Sequence, residues 1–126
     1  MKKEEVGARG ESLAVQKLVE GGYHIRDRNW RTLEGELDIV AEEGDTIVFI
    51  EVKARTSRRF GWPEEALTKK KRQRLIKAAL AYLDAYQIAE ANWRFDFFAI
   101  EWSSEGDLMR MEHLIDIIQA EPGEFF

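Results

Sequence analysis

Two short apolar runs carry charged residues where a buried strand has no room for them, and this conflict constrains the chain more than any other feature. The runs are Glu36-Leu37-Asp38-Ile39-Val40 and Ile47-Val48-Phe49-Ile50-Glu51-Val52-Lys53. Side chains along a strand alternate between its two faces. Strict alternation places Glu36 and Asp38 on one face of the first run, with Leu37 and Ile39 on the other. In the second run Glu51 and Lys53 share a face with Ile47 and Phe49. Charges on the apolar face of a strand are costly unless paired, hydrogen-bonded or bound to a metal.

The connection between the runs decides whether the carboxylates meet. Glu42-Glu43-Gly44-Asp45 is a turn signal, with Gly44 able to take the positive φ of a tight hairpin. A two-residue turn at Glu43-Gly44 pairs Asp38 with Phe49 and Glu36 with Glu51. A turn at Gly44-Asp45 pairs Asp38 with Glu51. Either register puts Asp38 and Glu51 on one face, because opposed residues of an antiparallel pair point the same way. Two carboxylates held that close repel, so one takes a proton or a cation sits between them. A hard divalent ion such as Mg²⁺ suits carboxylate and carbonyl oxygens.

Charge distribution names the ligand class. The net charge is −5, yet Lys53, Arg55, Arg58, Arg59, Lys69, Lys70, Lys71, Arg72, Arg74 and Lys77 crowd one segment against Glu64 and Glu65 alone. That segment carries +8 and leaves −13 elsewhere. Concentrated positive charge beginning at the carboxylate strand is the footprint expected for a phosphate backbone, hence for nucleic acid. No run is long enough to span a membrane, and no signal-peptide pattern opens the chain. With no cysteine, disulfides and thiolate metal sites are excluded, and a cytoplasmic location is the simplest expectation.

At 126 residues and 44% hydrophobic, the chain is expected to form one domain over residues 1–126, with a loosely ordered tail from about residue 119. Lys3 to Glu20 reads as a helix closed by Gly21-Gly22. Strands are expected over Tyr23–Arg31, Glu36–Ala41 and Thr46–Lys53. A second helix runs from an N-cap at Thr68 to about Tyr86, with Leu75, Ile76, Ala79, Leu80 and Leu83 as its apolar stripe. Arg94–Trp102 reads as a buried strand and Met109–Ile117 as an edge strand. The order is αβββαββ, an α/β sandwich with a mixed central sheet and helices on its faces.

Other acids compete for the site. Glu11 shares a helical stripe with Ala14, Val15 and Leu18, and Gly7 and Gly10 beside it suggest a close backbone approach. Glu36 is expected to reach solvent or pair with Lys53. Asp96, among Phe95, Phe97 and Phe98, needs a partner such as Arg94 or a backbone group, which favours a structural role. Trp30 and Trp62 read as core cover rather than base-stacking platforms, and His24 and His113 as ordinary strand residues. No Gly-rich phosphate loop or nucleophile motif is present.

The ordered set Glu11, Asp38, Glu51-x-Lys53 on an αβββαβ frame resembles the PD-(D/E)xK nuclease superfamily, the restriction-endonuclease-like fold. Gly10-Glu11-x-x-Ala14, Arg28-Asn29-Trp30-Arg31, Gly35-Glu36-Leu37-Asp38-Ile39, Phe49-Ile50-Glu51-Val52-Lys53-Ala54-Arg55, Phe60-Gly61-x-Pro63 and Arg94-Phe95-Asp96 look like the small bacterial YraN-like family, itself similar to archaeal Holliday-junction resolvases. Leu37 stands where the superfamily name has Pro. The resemblance implies that Asp38, Glu51 and the Val52 carbonyl bind Mg²⁺, with Mn²⁺ as a substitute, and that Glu11 helps hold the metal or its water. Lys53 would orient the attacking water or stabilise charge on the phosphate. Arg55, Arg58, Arg59, Lys69, Lys70, Lys71, Arg72 and Arg74 would contact DNA without reading its sequence. The expected activity is a metal-dependent endonuclease acting on branched or damaged DNA in repair or recombination, with a homodimer expected for junction resolution. The alternatives are a nucleic-acid-binding module that keeps the fold without turnover, and a structural partner acting through its acidic surface.

Overall fold

The computed structural model describes residues 1–118. Helix α1 (Lys3–Glu20) is followed by strands β1 (His24–Arg31), β2 (Glu36–Glu43) and β3 (Thr46–Arg55). A 3₁₀ turn (Pro63–Ala66), helix α2 (Lys69–Ala85) and strands β4 (Asn92–Trp102) and β5 (Leu108–Leu114) complete the order. The sheet runs β1-β2-β3-β4-β5, antiparallel except for the parallel β3–β4 pair. That exception follows from the connection, since a parallel neighbour needs a crossover and α2 supplies it. The fold is therefore the expected α/β arrangement with a mixed sheet.

Each helix covers one face. α1 buries Val6, Ala14 and Leu18 against Ile39, Ala41, Val48, Ile50, Val52, Phe98 and Ile100. α2 buries Leu75, Ile76, Ala79, Tyr82 and Leu83 against Val40, Ile47, Phe49 and Phe95. Leu80, expected in that stripe, is exposed, and Ala78 and Tyr82 take its place in the core. The centre of the buried α2 face is thus rotated by about 50° from the position the expected stripe suggests. Tyr82 is wholly buried because its hydroxyl is satisfied, donating to Asp27 Oδ2 at 2.6 Å and accepting from Arg26 Nε at 3.0 Å.

Helix ends follow the sequence signals. Thr68 caps α2, its hydroxyl accepting from the Lys71 N–H at 3.2 Å. α1 ends with Gly22 N–H donating to the Val19 carbonyl and Tyr23 N–H to the Leu18 carbonyl, the paired bonds of a Schellman motif. Gly10 is a packing glycine: a Cβ there would lie 2.8 Å from the Ala54 Cβ, so α1 crosses β3 at backbone contact. Gly7 has no such neighbour. The last strand ends at Leu114 rather than Ile117, and Ile117 and Ile118 turn back onto the α2-side core. The tail expected to be loosely ordered, from about residue 119, lies outside the described residues.

Candidate functional site

The β2–β3 register settles the hairpin. Glu43 pairs with Thr46, so the turn is Gly44-Asp45, and the ladder runs back to Ile39 opposite Ile50. Asp38 and Glu51 come next, at the point where β2 parts from β3. The carboxylate of Asp38 is turned into that gap, where its Oδ2 accepts from the Val52 N–H at 2.9 Å. A side chain thus replaces the main-chain acceptor that a continued ladder would supply. In a strand, one residue's N–H and C=O point to the same edge, so the Val52 carbonyl faces this gap as well.

Strict alternation does not hold here. Leu37 packs in the α2-side cluster with Val40, while Ile39 and Ala41 face α1. The reason lies across the ladder. Arg28 pairs with Ile39 and Trp30 with Leu37, so Asn29 stands opposite Asp38, in a left-handed conformation (φ 51°). Asn tolerates that conformation better than most residues. The local distortion lets Asp38 reach into the gap while Leu37 stays buried.

Glu51 is held tightly. One oxygen lies 3.7 Å from Lys71 Nζ on α2; the other is buried, and among the described residues it has no hydrogen-bond partner but the neighbouring Asp38 carboxylate, which it can meet only when one of the two holds a proton. Burial first, and then the Asp38 carboxylate, push Glu51 up to about 8, and the charges of Lys71 and Lys53 pull the other way. Glu11, on α1 beside Gly10, reaches the same neighbourhood. Burial and the Asp38 charge raise it, while Arg28 and Asn29 lower it. With its amide nitrogen turned toward the acids, Asn29 donates to Glu11 Oε1 at 3.1 Å and to Glu36 Oε1 at 3.0 Å. Glu36 also lies 3.7 Å from Arg31 Nε, so its cation is Arg31 and not the expected Lys53.

These residues suit a hard cation of a particular kind. A buried oxygen without a partner, next to a second carboxylate, is the environment a cation would relieve. Among the described residues no three acidic or imidazole side chains close into a cage. Mg²⁺ is typically held by one or two carboxylates, with water and phosphate oxygens completing its octahedron. Asp38, Glu51 and the Val52 carbonyl meet that description, with Glu11 alongside.

The basic segment divides. Lys53 lies half-buried near Glu51, and Arg55 is half-buried with its Nε unpartnered among the described residues. Lys69, Lys70 and Arg74 are exposed on the first turns of α2, and Arg59 is exposed with its guanidinium over Phe60. Arg72 is half-buried on the same helix. Arg58 is committed elsewhere: it bonds both oxygens of Glu101, at 2.8 and 3.2 Å, and stacks 3.6 Å above Trp62. Trp30 is core cover, packed on the α2-side cluster and edge-on to Tyr82. Trp62, expected to be cover, is instead 43% exposed, joins neither core cluster and carries the guanidinium groups of Arg58 and Arg110 over its ring. Asp96 is structural. Arg94 grips it at 2.9 and 3.2 Å, His113 Nε2 lies at 2.8 Å, and the Asp116 N–H donates at 2.9 Å. Asn29 and the Lys71–Glu51 contact escaped the sequence reading. An Asn inside a strand, where it is disfavoured, was the available signal for the first.

Comparison with known proteins places the chain among relatives of matching length. Residues 10–100 match the model of the uncharacterised protein family UPF0102. A UPF0102 protein of Geobacter metallireducens is 45% identical over 109 residues, covering 86% of this chain and 88% of its own. One from Syntrophus aciditrophicus is 40% identical over 117 residues, covering 93% and 91%. Another, from Syntrophomonas wolfei, is 56% identical over 79 residues, covering 63% and 69%. The chain belongs to the UPF0102 family, the YraN-like family that its motifs resemble.

Proposed function

We propose that the chain is a metal-dependent endonuclease that hydrolyses DNA phosphodiester bonds with little sequence preference, on branched or damaged DNA. The observation that carries this reading is the Asp38–Glu51 pair: adjacent carboxylates, one with a buried oxygen that no cation or donor of the described residues satisfies, at the start of a basic segment. Mg²⁺ or Mn²⁺ bound there would supply Lewis-acid polarisation of the phosphate and a more acidic water. Asp38, Glu51 and the Val52 carbonyl would be its ligands.

The chain's own residues do the rest. Lys53 orients the attacking water and offsets charge developing on the phosphate; a lysine is a compact point charge suited to this. Glu11, held by Asn29, positions water from the α1 side. Lys69, Lys70 and Arg74, with Arg55 and Arg59, fix the sugar–phosphate backbone and carry no sequence information. Arg58 contributes through the loop it anchors, since its guanidinium is held by Glu101.

The test is cleavage of synthetic four-way junctions, flaps and linear duplex, with Mg²⁺ or Mn²⁺ and with EDTA. Metal-dependent products that vanish in Asp38→Asn and Glu51→Gln, with binding retained, support the reading. Salt-sensitive binding without any metal-dependent product would instead make the chain a binding module on the nuclease fold. A sizing measurement alongside tests the dimer expected of a junction-cleaving enzyme.

A further inference from the structure

Among the cations of the basic segment, Lys71 stands apart by position. It is the third residue of α2, fixed by the Thr68 cap through its own N–H. Lys69 and Lys70 point to solvent, whereas Lys71 lies at the border of the buried face that continues through Leu75 and Ala78. Its ammonium sits 3.7 Å from Glu51 Oε1. It also lines the cleft between the β1–β2 turn and α2, together with Thr32, Gly35, Glu36 and Arg74. One ammonium therefore faces both the carboxylate pair and an open cleft.

Helix stability does not explain it. Cations in the first turn oppose the helix dipole, and α2 has no acid there to offset them. An exposed ion pair adds little to stability. What Lys71 does have is a position opposite the carboxylate proposed as a metal ligand.

We propose that Lys71 is an internal counter-ion of the site, pairing with Glu51 until a divalent cation takes its place and then turning into the cleft to bind the substrate phosphate. This rests on the metal-site reading above and adds a positioning role to it. The ammonium and the divalent cation compete for one carboxylate, so metal binding and phosphate binding are linked through this side chain. Linkage of this kind is reciprocal: DNA that draws Lys71 away from Glu51 strengthens the metal, and the metal strengthens DNA binding by the same factor.

The sign of the effect is what separates this role from a generic surface charge. Removing Lys71 removes one positive charge near the metal position. An ammonium 3.7 Å from Glu51 repels a divalent cation bound to the same carboxylate, so its removal tightens metal binding.

The experiment is a calorimetric titration of Mn²⁺ into the full chain without DNA, above about pH 8 where Glu51 is ionised, for wild type, Lys71→Met and Lys71→Arg, with Asp38→Asn and Glu51→Gln as site controls. The expected result is Mn²⁺ binding about 3- to 10-fold tighter in Lys71→Met and near wild type in Lys71→Arg. With Mn²⁺ present, four-way-junction affinity should fall by a similar factor in Lys71→Met, and its salt slope by about one. Unchanged or weaker Mn²⁺ binding in Lys71→Met, with binding lost in both site controls, overturns the Lys71 role and leaves the metal site standing. Mn²⁺ binding that survives both site controls overturns the metal site and the Lys71 role together.

Discussion

Two sets of buried acids sit on this sheet, and they differ in a way that separates scaffold from site. Asp96, only 1% exposed, has both oxygens satisfied by Arg94, His113 and the Asp116 N–H. Burial alone would raise it, but those partners outweigh burial and hold it below the usual range. Glu101 is held by Arg58 and Arg110, and Arg58 first among them lowers it to about 2. Glu51 is somewhat less enclosed, its side chain 14% exposed against 0% for Asp96, and apart from the neighbouring Asp38 carboxylate its second oxygen has no partner among the described residues. The first set is completed by the fold. The second is left incomplete among the described residues, the arrangement that the proposed metal would complete.

The contrast can be broken most severely at Asp96. Asp96→Ala strips Arg94, His113 and the Asp116 N–H of their shared acceptor, leaving the half-buried Arg94 with the exposed Glu43 at 3.5 Å, and should cost about 3–5 kcal/mol, read from the denaturant midpoint. Glu51→Ala should cost far less, because it removes an acid that the fold leaves half-satisfied. Comparable losses from the two substitutions would erase the distinction.

Gly10 sharpens the comparison from the packing side. Gly10→Ala brings a Cβ within 2.8 Å of the Ala54 Cβ and forces α1 away from β3. A loss of about 1–3 kcal/mol is expected, accompanied by weaker metal binding because Glu11 moves with the helix. Gly7→Ala, with open space around it, should be neutral or stabilising.

The two sets also titrate in opposite senses. Glu51 in the folded chain keeps its proton up to about 8, while the unfolded chain loses it near 4.5. The folded state then binds more protons across that window, so this contribution to stability falls as pH rises from about 4.5 to about 8. Glu101, lowered to about 2, does the reverse: its contribution is present above about 4.5 and fades as pH drops toward about 2. Thermal melts across pH should show Glu51→Gln flattening the upper limb without changing the lower one. Loss of the lower limb in Glu51→Gln would contradict the assignment.

The smallest effect is expected among the cations of the basic segment. Arg58→Ala should lower stability more than DNA affinity, since its guanidinium serves Glu101 and Trp62. Lys70→Ala should leave stability unchanged and reduce the salt slope of DNA binding by about one. Binding isotherms at several salt concentrations distinguish them.

Much of this was legible in the sequence because it depends on local spacing. The hairpin signal at Gly44-Asp45 and the apolar runs around it bring Asp38 and Glu51 together, and Thr68 and Gly21-Gly22 mark their helix ends. What was not legible depends on contacts distant in the chain. The break in alternation at Asp38 depends on a left-handed Asn29 in the neighbouring strand. The capture of Arg58 joins positions 43 residues apart, and no periodicity reports such a pairing. Lys71 looked like one lysine among three until α2 was docked on the sheet.

The proposed metal site requires that Asp38 and Glu51 together hold one divalent cation. Calorimetric titration of Mg²⁺ into wild type and Asp96→Asn, Asp38→Asn and Glu51→Gln variants, above about pH 8 where Glu51 is ionised, tests it directly. The predicted result is one saturable site in wild type, kept in Asp96→Asn to the extent that variant folds, and lost in Asp38→Asn and Glu51→Gln. Undiminished Mg²⁺ binding in Glu51→Gln, or no binding to folded wild type, would contradict it.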